Sequence, residues 1–175
     1  MNAYGRFGSW AVHLTFGTAV IAAFAYFGFA RPTHMRWGAS DVEVARPMPG
    51  DRVVGGADFI ATRAVTIEAP RELVWPWIVQ MGQRDARFIK GFEANRYMLW
   101  LTRSAPRLTW CWRLEPAGAG RTRLVTRVRF RHAWFSTAVA RSLVADLGNV
   151  FTVRGAMLDI KARAEAAAKK WRPGV

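Results

Sequence analysis

The strongest constraint on the fold lies between Leu108 and Arg131. Leu108, Trp110, Trp112 and Leu114 alternate with Thr109, Cys111, Arg113 and Glu115, the two-residue period of a half-buried strand. After a turn over Pro116–Gly120, Leu124, Thr126, Val128 and Phe130 alternate with Arg123, Val125, Arg127, Arg129 and Arg131. Two such runs joined by a short glycine-containing turn predict an antiparallel hairpin. One of its faces is apolar and the other is rich in arginine.

The residues around this hairpin complete a mixed α+β pattern. Ile60–Glu68 reads as a strand by its β-branched content, with Val65 and Ile67 on one face and Thr66 and Glu68 on the other. Ala69-Pro70 closes it. Leu73, Trp77 and Met81, with Val74 and Ile78 in the adjacent row, make one apolar face of a short helix that Gly82 stops. Pro76 inside this pattern predicts a kink or a late start. Gln83–Asn95 is polar and irregular and reads as a loop with room for one short strand, and Tyr97–Leu101 is a short strand. Two helices are expected at the end: one capped by Ser136 and running to Leu147 before Gly148, the next capped by Asn149. In the second, Val150, Val153, Met157, Ile160, Ala164, Ala167 and Trp171 recur at three- and four-residue spacing and form a continuous apolar stripe.

From Ala11 to Ala30 the sequence AVHLTFGTAVIAAFAYFGFA carries no Asp, Glu, Lys or Arg. Twenty residues rising about 1.5 Å each span a hydrocarbon core of roughly 30 Å, so residues 1–30 read as an amino-terminal transmembrane anchor. The competing reading is a cleaved signal peptide, with Gly28 and Ala30 as small residues at the cleavage site. The run exceeds the roughly 7 to 15 residues of a signal core, and only Arg6 precedes it, which favours the anchor. Arg31, Arg36 and Arg46 follow the span, so the positive-inside rule holds the rest of the chain in the cytoplasm. Residues 31–59, with RPMPGDRVVGG from Arg46 to Gly56, read as a linker packed on the domain or lying along the membrane.

The remaining residues, 60–172, suffice for one domain, and with 51% of the 175 residues apolar the chain has ample material for a core. The net charge of +14 suits an anionic membrane surface. Nucleic acid is the weaker partner, because no zinc finger, RNP sequence or basic helix with a dimerising heptad is present. The single cysteine, Cys111, excludes an intrachain disulfide and reads as a small strand residue.

The segment ATRAVTIEAPRELVWPWIVQMGQ, Ala61–Gln83, resembles the opening of the SRPBCC superfamily, which includes START, Bet v 1-like and polyketide cyclase/dehydrase-type proteins. Trp112–Arg129 resembles their late hairpin and Gly155–Glu165 their last helix. The resemblance implies a helix-grip fold, an antiparallel sheet around a long carboxy-terminal helix. The segment between first helix and late strands is shorter than in such proteins, so the domain is expected to be abbreviated, with a smaller sheet or one completed by a partner chain. An open sheet edge is a route to a homo-oligomer.

The resemblance further implies a cavity for a lipid or other hydrophobic small molecule, lined by Trp77, Trp110, Trp112, Leu124, Val128, Phe130, Val153, Met157 and Ile160. The same stripe fills a dry core if its side chains meet one another. Trp75 is open to both readings. His132, with Glu115 and Asp146 as the nearest carboxylates, has no spacing that marks a catalytic site. No metal site, glycine-rich phosphate loop or cofactor is expected. Membrane-tethered ligand binding is therefore the leading expectation. A cyclase- or dehydratase-like enzyme and a cavity-less interaction module are the alternatives. The anchor predicts that the full chain stays with membranes through a high-salt or alkaline wash, since hydrophobic insertion survives conditions that release an electrostatically held protein. Recovery of the intact chain in the soluble fraction would refute it.

Overall fold

The computed structural model describes residues 25–83, 88–102, 108–131 and 138–171, together with Thr18 and Ile21. The chain forms two units, Met1–His34 and Met35–Val175. A π-helical turn, Tyr26–Ala30, runs into helix α1, Arg31–Met35, which ends on the first residue of the second unit. Among the described residues no helix is long and apolar enough to cross a membrane. Most of the expected span, Ala11–Ala30, lies outside those residues.

The second unit is an α+β, helix-grip-like domain. Its five strands are β1 (Phe59–Ile67), β2 (Phe88–Glu93), β3 (Tyr97–Thr102), β4 (Leu108–Pro116) and β5 (Thr122–Phe130). They form one antiparallel sheet in the order β1-β5-β4-β3-β2. Helix α2 (Asp41–Ala45) precedes β1, α3 (Arg71–Gln83) follows it, and α4 (Ala138–Lys170) ends the domain. The β4–β5 turn runs over Ala117–Arg121 with Gly118 and Gly120 at positive φ, and pairs Trp110 with Val128, Trp112 with Thr126 and Leu114 with Leu124.

Two expectations require correction, whereas the one short strand allowed for in the polar stretch after Gln83 is present as β2, six residues long and joined to β3 by a turn in which Asn95 adopts φ 59°. Asparagine tolerates this left-handed conformation, and the Ala94-Asn95 pair was the available signal. Pro76 does not delay its helix, which starts at Arg71. Both Pro76 and Glu72, whose carbonyl loses its donor, are exposed, so water can serve that carbonyl. The two expected terminal helices are one 33-residue helix, α4, running through Gly148 and Asn149. A glycine in a helix interior costs about 1 kcal/mol, which packing of the apolar stripe offsets. The proposed cap, Ser136, lies outside the described residues.

Val153, Met157, Ile160 and Ala164 of α4 are buried against Ile67, Leu124, Leu114 and Trp112 of the sheet and Val74 and Ile78 of α3. Lys161 Nζ donates to Thr66 O (2.6 Å), and Glu165 Oε1 accepts from the Glu68 N–H (2.9 Å), tying the helix to the end of β1. Trp171, read as the last residue of the stripe, is 53% exposed just beyond the helix.

The opposite face of the sheet is covered as well. Residues 35–58, a strap over this face, take the first of the two places considered for the linker. Ser40 and Glu43 form a capping box that starts α2. Trp37 O accepts from the Ala64 N–H (3.1 Å) on the outer edge of β1, and β1 and β2 are the two edge strands of the sheet among the described residues. Met48 is buried with Ala64, Cys111 and Val125. Gly50, at φ +91°, lies so close that a Cβ would meet Leu99 Cδ1 at 2.6 Å.

This cover consumes the arginine face. Arg127 is 4% exposed and uses all five of its N–H donors, on Thr62 Oγ1, Asp51 Oδ2 and the carbonyls of Glu43, Val44 and Arg46. Arg123 holds Glu43 bidentately (2.7 and 2.9 Å) and also donates to Gly38 O. Arg129 donates to Val54 O. Arg123, Arg127 and Arg129 of the arginine-rich face are thus committed within the domain. Alternation identified the face but carried no information about what covers it.

Arg127→Met should destabilise the domain by about 3–5 kcal/mol in urea unfolding, because it takes the buried cation from Asp51 and the donor from three carbonyls. Burial, with Asp51 adding to it, pushes the Cys111 thiol up to about 12, so the native thiol should resist alkylation and react faster in Arg127→Met as the strap loosens. The Arg123 guanidinium hydrogen-bonded to Glu43 lowers its carboxyl to about 2 against burial, which raises it. A carboxylate with a lowered folded pKa contributes stability above its ordinary value of 4.5 and loses it as pH falls through about 2. The stability gap between the parent and Glu43→Gln should therefore narrow on acidification across that window.

Candidate functional site

The face of the sheet toward α4 carries the expected ligand residues in rows set by strand register. One row reads Arg63, Thr126, Trp112, Met98 across β1, β5, β4 and β3, and the next reads Ala61, Val128, Trp110, Trp100. Trp100, Trp110 and Trp112 form one aromatic group, with ring centroids 4.8 Å apart for Trp100–Trp110, 5.2 Å for Trp110–Trp112 and 6.2 Å for Trp100–Trp112.

The nine expected residues do not all meet in one place. Trp112, Leu124, Val153, Met157 and Ile160 share the main buried cluster. Val128 belongs to a second one with Met35, Phe59 and Ala61, against which Phe130 packs. Trp110 touches both. Trp77 lies at the outer side, lining a groove of about 200 Å³ between α3 and α4 with the Arg163 guanidinium 5.4 Å from its ring. Trp75 packs against the main cluster and faces Phe92 at 6.3 Å.

Two polar features stand inside this apolar layer. Trp110 Nε1 donates to Thr126 Oγ1 (2.8 Å), which donates in turn to Cys111 O (3.0 Å), so that indole is satisfied. Trp112, 0% exposed, has no acceptor for its Nε1–H. A buried donor left unmade costs about 1–3 kcal/mol, so the group stands out against the apolar residues around it. The other feature is Arg63, also 0% exposed, in the same row and two strands away, roughly 10 Å at ordinary strand spacing. The sequence reading missed Arg63. The signal was present, since it shares the parity of Val65 and Ile67, the apolar face of that strand.

Among the described side chains every Asp, Glu and His is at least partly exposed, and no three His, Cys, Asp or Glu gather as a metal site. Glu115, considered with His132, is paired with Arg46 and Arg113. His132 and the side chain of Asp146 lie outside the described residues.

No family model and no curated protein matches the chain. Among solved structures it is similar to a Polyketide_cyc-like protein from Corynebacterium glutamicum, at 12% identity and a TM-score of 0.49 over 66% of this chain and 97% of the other. It is also similar to the Zhui aromatase/cyclase from a Streptomyces species, at 19% identity and a TM-score of 0.37 over 67% of this chain and 99% of the other. The di-domain ARO/CYC protein BexL aligns at 14% identity and a TM-score of 0.42, over 70% of this chain and 54% of its own. Likenesses this distant carry neither an activity nor a site residue to this chain.

Proposed function

We propose that the domain binds a hydrophobic small molecule or lipid in the layer between the sheet and α4, tethered to a membrane by the apolar segment Ala11–Ala30. The observation that carries the reading is the fully buried Trp112 indole N–H with no acceptor, set among aromatic and aliphatic side chains. An apolar ligand bearing one carbonyl, hydroxyl or carboxylate oxygen would give that donor its partner, while the rest of the ligand replaces apolar contacts. Ile21 and Phe29, both largely exposed, are suited to lipid contact in the tether. The enzymatic alternative has no supporting observation among the described residues, because an interior acid–base pair is what it needs.

The test uses a chain starting at Met35, which keeps the strap, titrated with a fluorescent fatty acid. Saturable uptake is expected. Trp112→Phe keeps an aromatic ring but removes the donor, and should weaken uptake about fivefold, the loss of one hydrogen bond worth roughly 1 kcal/mol. Trp110→Phe, whose donor is already satisfied within the protein, provides the comparison. A folded parent that takes up nothing, or unchanged affinity in Trp112→Phe, counts against the reading.

A further inference from the structure

With Arg123, Arg127 and Arg129 committed to the strap, a further group of arginines lies at one end of the sheet. A cleft of about 520 Å³ opens where the β2–β3 turn and the end of β4 meet the start of α3 and the strap. Arg46, Arg71, Arg96 and Arg113 line it, with Glu93 and Glu115. Glu115 serves two of these cations: Arg46 Nη1 reaches both of its oxygens (2.8 and 2.9 Å) and Arg113 Nε lies at 3.0 Å. Glu93 pairs with Arg96. Arg71 has no ion pair or side-chain hydrogen bond among the described residues. Four guanidinium groups against two carboxylates leave a formal charge of +2 on one concave surface.

We infer that this cleft is a binding site for a phosphate monoester, a group whose dianion matches the two unneutralised charges. Guanidinium forks pair bidentately with phosphate oxygens, and a cleft concentrates the field of its charges beyond what the same arginines achieve on a convex surface. The volume lies within the range of small-molecule sites and exceeds what inorganic phosphate needs, so the phosphate is carried on an organic group. Tyr97, Leu114 and the prolines Pro49 and Pro116 supply the apolar part of the wall for it. The phosphate belongs either to a soluble metabolite or to a lipid head group. This site is separate from the interior layer and stands whether or not that layer takes a ligand.

The experiment uses the full chain in non-ionic detergent and follows binding by calorimetry. Its arms are glycerol 3-phosphate, mixed micelles carrying phosphatidic acid, and mixed micelles carrying phosphatidylglycerol, a diester with one charge. Saturable binding of the first or the second is expected; the first identifies a soluble source, and the second without the first identifies a lipid. Arg71→Gln should weaken that binding about tenfold, as loss of a charge-assisted hydrogen bond does, and Arg71→Lys should restore part of it. Arg52→Gln, which removes one exposed charge outside the cleft, should leave it unchanged. Phosphatidylglycerol bound as tightly as phosphatidic acid, binding equal in Arg71→Gln and the parent, or no saturable binding in any arm would overturn the inference.

Discussion

The buried guanidinium of Arg127 organises the outer half of the domain. Its five donors reach Thr62 on the neighbouring strand, Asp51, and the carbonyls of Glu43, Val44 and Arg46 at the end of α2. Carbonyls at a helix end have no intrahelical donor and carry the negative end of the helix dipole, so a cation is the fitting partner for them. A lysine could not do the same, having three donors at one point instead of a planar fork that bridges five acceptors. Burying such a charge is costly unless every donor is met, and here every donor is met. The five-residue helix, too short to persist alone, is held by its capping box at one end and by Arg127 at the other.

This arrangement turns a sheet with one apolar face into the middle layer of a three-layer domain. On the α4 side, burial is by aliphatic and aromatic packing. On the strap side it is by a mixture of small apolar contacts, Met48 and Val125 around Cys111, and a lattice of charge-assisted hydrogen bonds. The two sides differ in chemistry for a reason visible in β5, where leucine, threonine and valine alternate with arginine. Each parity found a cover suited to it. Arg63 and the Trp112 indole are polar groups on the helix side that packing alone does not explain.

Much of this architecture is legible in single residues. The period of two in β4 and β5 and the glycine turn between them gave the hairpin and its two faces. The spacing of Val153, Met157, Ile160 and Ala164 gave the buried stripe of α4. Other features escaped because local signals compete with tertiary ones. Gly148 and Asn149 look like a helix boundary, and the chain stays helical through them. Pro76 looks like a break, and its exposed position makes it harmless. The strap looked like a linker because the groups that order it, the Glu43 side chain and the carbonyls of Glu43, Val44 and Arg46, are partnered by arginines some eighty positions later.

The sequence by itself determined the α+β class, the apolar hairpin face and the helix that covers it, because these follow from periodicity, which is a local property of the chain. Tertiary structure alone decided that the arginine-rich face is interior rather than a docking surface. It also decided that Val128 and Phe130 leave the main cluster, and that the buried Trp112 indole lacks an acceptor. Each of these depends on which distant group arrives at a given side chain. An arginine reads the same in the sequence whether its partner is water, a lipid or a carbonyl of its own chain.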